Sequence, residues 1–400
     1  MSHVLSAVVA GHLCLDIFPA LDHLPPGQFG ALFQPGRLVE VGAAHFSTGG
    51  PVSNTGLALH HLGVPARLVA KVGRDPFGQI VRGLIEARDP DLAAGIAVDP
   101  QAVTSYSIIV SAPGVDRIFL HCPGANDMFD AADIPYDLVR QAALFHFGYP
   151  PIMRRMYEHG GAALVEVLRR ARAAGATTSL DMSLPDPSSD SGRADWRAIC
   201  AAALPFVDVF LPSVEELLFM LRRPAYERMA ARGDPSTGSG QGLLAQVTPE
   251  LLSDLAAELL ALGVKVMAIK LGDRGLYVRT GGRAVLEQIG RTRPPDLDAW
   301  AGMELWAPCF QAGVVGTTGA GDATISGFLS GLLRGLPLVE AATAAVAVGA
   351  CNVEAADALS GLRPWEDILA RIAGGWPRHE LRLDAPGWGW NERYQLWEKR

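Results

Sequence analysis

The chain has 400 residues, 49% apolar and 19% charged, enough for one large domain or two ordinary ones and too apolar for global disorder. A net charge of −8 argues against a general binder of nucleic-acid backbones, while leaving room for a local basic pocket. Five cysteines, at 14, 122, 200, 309 and 351, are scattered without a CxxC pair, so neither a zinc knuckle nor a disulfide framework is expected, and a reducing, cytoplasmic setting fits.

In chain order, "LSAVVAGHLCL" predicts a first strand; it lacks a basic flank and Asp16 interrupts it, so it does not read as a targeting segment. "SNTGLALHHLG" predicts a short helix closed by Gly63, "ARLVAKVG" a strand, and "DPFGQIVRGLIEA" a helix with an early proline. "SYSIIVSA" and "DRIFLHC" alternate like an antiparallel hairpin, out of rhythm with the rest, and read as an appended flap. "GAALVEVLRRARAAG" is an amphipathic helix, followed by the strand "ATTSLDMS". "VDVFLPSVEEL", "TPELLSDLAAELLALG" and "VKVMAIKLGDRGLYVRT" continue the alternation. Repeated strand–helix–strand units imply an α/β fold with a mostly parallel sheet covered on both faces.

Two stretches read as loops, the Gly/Ser/Pro-rich 231–242 and the long, irregular 291–310. The tail from 376, rich in tryptophan and charge, reads as an extension draped on the domain or on a partner, which leaves 1–375 as the main domain. No apolar run reaches the roughly 18 residues of a membrane span, and no internal repeat is visible.

The most informative stretch is "VVGTTGAGDATISGF", 314–328. Ile325, Phe328, Leu329 and Leu332 recur at helical spacing, and Gly327, Gly331 and Gly335 recur every four residues, permitting close packing. Gly319, Ala320 and Gly321 then fall where the helix begins. Backbone N–H groups there lack internal partners and carry the positive end of the helix dipole, which suits a phosphate. Asp322 beside that seat is either a first-turn acid favoured by the dipole or a base for an incoming hydroxyl. No GxxxxGK[ST], GxSxG or HExxH occurs, and Thr324 stands where a dinucleotide fingerprint wants its third glycine, which argues against a nicotinamide-dependent oxidoreductase.

With "TTGAGDATISGF" late and "STGGPVSNTGLALHHLG" early, the sequence resembles the ribokinase-like (PfkB-type) carbohydrate and nucleoside kinases over about residues 5–370. "GHLCLD", "KVGRDPFG", "PGAND", "LDMS", "LPSVEEL" and "IKLGDRG" follow in order between them. The resemblance implies a three-layer sandwich with a small β-sheet lid, built from about 17–47 and 104–123, and a homodimer through the lids. It implies ATP and Mg2+ as cofactors and a sugar or nucleoside as substrate, with neither nucleic acid nor membrane as partner. Asp322 matches the catalytic base, and Gly319, Ala320 and Gly321 the anion hole. Asp16 matches an acid that binds substrate hydroxyls at the end of the first strand, though it also reads as a turn residue. Gly49, Gly50 and Asn54 match the early substrate motif; Asn54 equally suits a helix N-cap. Lys270 and Gly272 match the strand-end contact to nucleotide phosphates, and a solvated strand-end lysine is the plain alternative for the first. Glu216 matches the acid of an NxxE motif that organises magnesium, but Ser213 replaces its asparagine, and SxxE is also a capping box. Gly316 stands where such kinases often carry an Asp that helps bind a monovalent cation, which removes the ground for expecting potassium activation.

The reading is therefore an ATP-dependent kinase acting on a sugar or sugar acid rather than a nucleoside, since no aromatic strip marks a base pocket. Ser213 and Gly316 are the features that favour a non-catalytic sensor on the same scaffold. Tyr106, Ile108, Phe119, His121 and Asn126 are candidates for specificity, and His146 reads as a satisfied core or surface histidine.

Overall fold

The computed structural model describes residues 4–21, 34–36, 38–111, 118–232 and 241–400. Most of the expected loop at 231–242 lies outside them, as do 22–33, 37 and 112–117 of the expected lid segments.

Short apolar strands make the large sheet: β1 (Ala7–Gly11), β4 (Ala66–Gly73), β5 (Gly95–Asp99), β8 (Leu144–Gly148), β9 (Thr177–Leu180), β10 (Val209–Phe210), β11 (Val266–Lys270), β12 (Leu276–Thr280), β13 (Glu304–Ala307), β14 (Trp388–Asn391) and β15 (Leu396–Lys399). Their order is β14-β15-β13-β12-β11-β10-β9-β8-β1-β4-β5, parallel from β5 to β11 and antiparallel beyond. The strands at the centre are apolar on both sides because both faces are covered: Ala7 and Val9 of β1 enter one core, Val8 and Ala10 the other. The first core is roofed by α1 (Pro51–His61), α2 (Pro76–Glu86) and two later helices, α6 (Ala320–Leu333) and α7 (Leu338–Asn352). The second core takes α3 (Ala162–Ala173), α4 (Val214–Leu221) and α5 (Pro249–Ala261).

Helix starts follow local chemistry. Asp75 caps α2 by accepting from the Gly78 amide at 2.8 Å, with Pro76 in the first turn. Ser213 and Glu216 close a reciprocal capping box on α4.

A second sheet stands apart, with order β3-β2-β6-β7, from β2 (Cys14–Pro19), β3 (Ala44–Gly49), β6 (Tyr106–Val110) and β7 (Ile118–Cys122). β6 and β7 are the expected hairpin, antiparallel from Tyr106↔Cys122 to Val110↔Ile118.

Three local expectations need correction. "LSAVVAGHLCL" is two strands in two sheets, not one. The chain turns at Gly11, whose φ of 125 and approach to Gly148 leave no room for a Cβ. Asn126 then holds Leu13 by both backbone groups, accepting from its N–H at 3.2 Å and donating to its carbonyl at 3.0 Å. Asp16 consequently lies within a lid strand rather than at the end of the first strand. Stretch 291–310 is not wholly irregular: it ends in β13, where fully buried Trp306 pairs with Trp397 of β15. Four residues behind a Gly/Pro-rich lead give too short a pattern to see. Asn54 is no N-cap, since Gly50 holds that position and Asn54 is inside α1. No helix among the described residues is long and apolar enough to cross a membrane, and all five cysteines are free.

Candidate active site

The turn 316–319 delivers the chain into α6. Gly319 is the N-cap at φ 73, in the left-handed region that favours glycine, and its Cα faces Ala358 too closely for a Cβ. Gly316 is less tightly placed: a Cβ there would lie 3.0 Å from Ala355 and Ala356, so a side chain needs those neighbours to give slightly. The Ala320 amide is already engaged, donating to the Thr317 carbonyl at 3.2 Å. The Gly319 and Gly321 amides have no protein acceptor among the described residues. A Cβ on Gly321 would sit 3.8 Å from Lys270 Nζ, so bare backbone and an ammonium share one wall. That wall belongs to a hollow of about 340 Å³, lined also by Gly272, Phe310, Thr324, Gly349 and Val353.

Asp322 is on the other side of the helix start, 2% exposed, and faces three side-chain donors. Asn54 Nδ2 and the Tyr149 hydroxyl each donate to Oδ2 at 3.0 Å, and the Thr55 hydroxyl donates to Oδ1 at 3.1 Å. Burial pushes its carboxyl upward, against the pull of Asn54, Lys270, Tyr149 and Thr55. The Tyr149 phenol is itself lifted well above its usual range, by burial and then by Asp322, so it remains a donor. Tyr149 follows β8 with φ 65, a left-handed backbone that aims the ring into the site. Asn54 Oδ1 is buried without a partner, leaving an acceptor open beside the carboxylate.

The substrate-side residues cluster around the start of α1. Asp16 Oδ2 lies where a Cβ on Gly49 would be, 2.2 Å away, and His12 similarly fills the space beside Gly50 (φ 86). Burial raises the Asp16 carboxyl to about 6, although the Cys14 thiol donates to its Oδ1 at 3.3 Å. His121 reaches from the lid, its Nδ1 3.0 Å from Ser107 Oγ and its Nε2 3.4 Å from His12 Nε2. Of the other specificity candidates, Tyr106 packs edge-on against Phe77, Asn126 holds Leu13, and Phe119 is exposed. His146 is a core residue, with Nδ1 2.9 Å from Ser179 Oγ, and burial lowers it to about 3.

Lys270 Nζ donates to Asp181 Oδ1 at 2.6 Å. Burial works most strongly against its charge, but Asp181, Glu216 and Asp322 together outweigh it and hold the ammonium above the usual lysine range. Asp181 Oδ2 is buried and unpartnered. Glu216 accepts from the Ser213 amide at 2.7 Å through Oε2. Among the described residues no group of three His, Cys, Asp or Glu could hold a metal ion. One spare oxygen on each of Glu216 and Asp181 suits Mg2+, which keeps several waters and takes few carboxylates beside substrate phosphates.

Sequence reasoning missed Tyr149, Thr55 and Asp181. Asp181 stood in "LDMS", an acid directly after an apolar strand; Thr55 adjoined Asn54; Tyr149, before two prolines, carried no chemical signal.

The model of the pfkB family of carbohydrate kinases matches residues 6–364. The chain is 24% identical to a probable chloroplastic fructokinase-6 of Arabidopsis thaliana, covering 90% of this chain and 80% of that one. Its fold is similar to Arabidopsis thaliana ribokinase complexed with ribose and ATP (TM-score 0.65, 18% identity, 92% and 98% covered). It is equally similar to a putative ribokinase II of E. coli in complex with ATP and Mg2+ (0.65, 19%, 93% and 100%). A ribokinase-type α/β sandwich with a small lid sheet is thus in place. The chain belongs to the pfkB family of carbohydrate kinases, which favours a kinase over the oxidoreductase and sensor readings.

Proposed function

We propose that this kinase transfers the terminal phosphoryl group of ATP to a hydroxyl of a small sugar or sugar acid, with Asp322 as the base. The observation that carries the reading is the placement of Asp322, one residue past a glycine that shares a wall with Lys270. ATP fits the hollow with its phosphates toward Lys270, Gly272 and the turn at Gly319, Ala320 and Gly321. The sugar fits the opposite side, against Asp16, Gly49, Gly50 and the open acceptor of Asn54. The acceptor hydroxyl gives its proton to Asp322 as its oxygen bonds to phosphorus, and the bond to the bridging oxygen of ADP breaks. Tyr149, Thr55 and Asn54 fix the carboxylate for that role. The amides of Gly319 and Gly321 offset charge on the phosphoryl group in flight, and Ala320 joins them if its bond to Thr317 yields. Glu216 and Asp181 would hold Mg2+ through water, and the ion would neutralise phosphate charge. The lid excludes water as a competing acceptor and presents its outer face to a second copy of the chain.

A coupled assay of ATP consumption against a panel of sugars, sugar acids, sugar phosphates and nucleosides tests this. Consumption should depend on an added sugar or sugar acid. Asp322→Asn should lower kcat by about 10²–10⁴-fold with ATP affinity retained. Near-normal turnover in that variant removes the base assignment. Turnover with nucleosides alone makes it a nucleoside kinase, and silence across the panel leaves a binding protein.

A further inference from the structure

The family match ends at residue 364, but the chain runs on and returns to the hollow beside Lys270. Residues 376–379 are laced to 308–311. The Trp376 indole donates to the Gln311 carbonyl at 2.7 Å, the Gln311 amide to Pro377 at 2.9 Å, and the His379 amide to Cys309 at 2.8 Å. Arg378 donates through Nη1 to the Pro308 carbonyl at 2.7 Å and lies over the Phe310 ring, 4.3 Å from its centroid. Trp376 also stacks with Phe310, centroids 4.6 Å apart. So tied, the strap has little freedom to swing away, and it places His379 on the wall of the hollow. Its ring is exposed and has no hydrogen-bond partner among the described residues.

We infer that His379 contacts the base of the bound nucleoside triphosphate, so that the C-terminal extension is part of the nucleotide site. This rests on the reading of the hollow as the ATP pocket. The walls of that hollow differ in character. Lys270 and Gly321 offer charge and bare amide to phosphates, whereas Ala312, Val346, Ala350 and Val353 offer apolar surface to a flat heterocycle. An imidazole beside the apolar walls can stack on a base and supply one donor and one acceptor to its edge. The main-chain bonds of the strap do not involve the ring, so removing it leaves the pocket's frame in place.

The test is calorimetric titration of the full chain, His379→Ala and His379→Asn with ATP, and with tripolyphosphate as a probe of the phosphate half. ATP should bind about three- to tenfold more weakly to His379→Ala, the range one hydrogen bond supplies. His379→Asn should recover part of the loss, and tripolyphosphate should bind all three proteins alike. ATP affinity unchanged in His379→Ala overturns the inference while leaving the nucleotide pocket standing. An equal loss for tripolyphosphate also overturns it, by placing the histidine at the phosphates. Failure of the unsubstituted chain to bind ATP at all removes both the pocket reading and the inference. The melting temperatures of the variants should match the parent's, which separates lost contact from lost fold.

Discussion

Asp16 holds its charge against its surroundings. It lies on a lid strand, no cation among the described residues pairs with it, and burial raises its carboxyl to about 6. Below about pH 4 the group is protonated in both folded and unfolded chains. Between there and pH 6 the unfolded chain has released the proton and the folded chain keeps it. Stability therefore falls as pH rises through that window and does not recover above it. Allowing for solvent screening of a partly exposed group, the penalty is on the order of 1–2 kcal/mol. Asp16→Asn should then melt about 1–2 °C higher than the parent at pH 7.5 and no higher at pH 4, while losing sugar-dependent turnover. A gain of the same size at both pH values would assign the effect to packing rather than charge. At this scale the sequence reached individual residues unevenly. Asp322 stands out because its neighbours are small and its position in a helix start is readable, though only the family resemblance gives it the role of base. The groups that hold it are not local: Tyr149 and Asn54 lie 173 and 268 positions away. Only the fold brings them to one carboxylate.

Among the elements, α6 and α7 show why glycine recurs where helix propensity disfavours it. Gly327 and Gly331 face α7 so closely that a Cβ on Gly327 would lie 2.8 Å from the Ala344 carbonyl oxygen and from Ala345 Cα. At Gly331 the corresponding approach to Ala341 is 2.9 Å. The third glycine of the series, Gly335, has another duty: it ends the helix with φ 69. Propensity alone predicts that Gly327→Ala would add about 1 kcal/mol. The contact is with backbone, which cannot rotate aside, so the helices must part. The variant should instead lose about 1–3 kcal/mol, the usual cost of overpacking a tight core. Urea denaturation followed by circular dichroism measures the sign. A more stable Gly327→Ala would mean that α6 and α7 slide easily, and the four-residue spacing would then be incidental. The spacing was legible in the sequence; which glycine packs and which one terminates was not, because both duties use the same residue.

For the whole molecule, the order of strands and helices could be read along the chain because each parallel unit repeats the same alternation. The departure from it could not. β12, β13, β15 and β14 extend the sheet antiparallel, and the last two come from a tail whose tryptophans look alike whether they cover this domain or another. The lid poses the same question of what covers an apolar surface. Phe119 and Leu120 are neighbours on β7, 57% and 47% exposed, and neighbours on a strand point to opposite faces. A sheet one layer thick that closes on a sugar has use for one apolar face. The other face is then open to water, beside β3 and β7, the edges of the sheet among the described residues, unless a second copy covers it. Sedimentation equilibrium should therefore find a dimer at micromolar concentration, with an interface near the roughly 800 Å² per partner of stable complexes. Phe119→Lys, on the more exposed of the two side chains, should shift the protein to monomer. A monomeric parent at tens of micromolar, or a Phe119→Lys variant that still sediments as a dimer, would mean that the lid's outer face tolerates water and that each chain closes on its substrate alone.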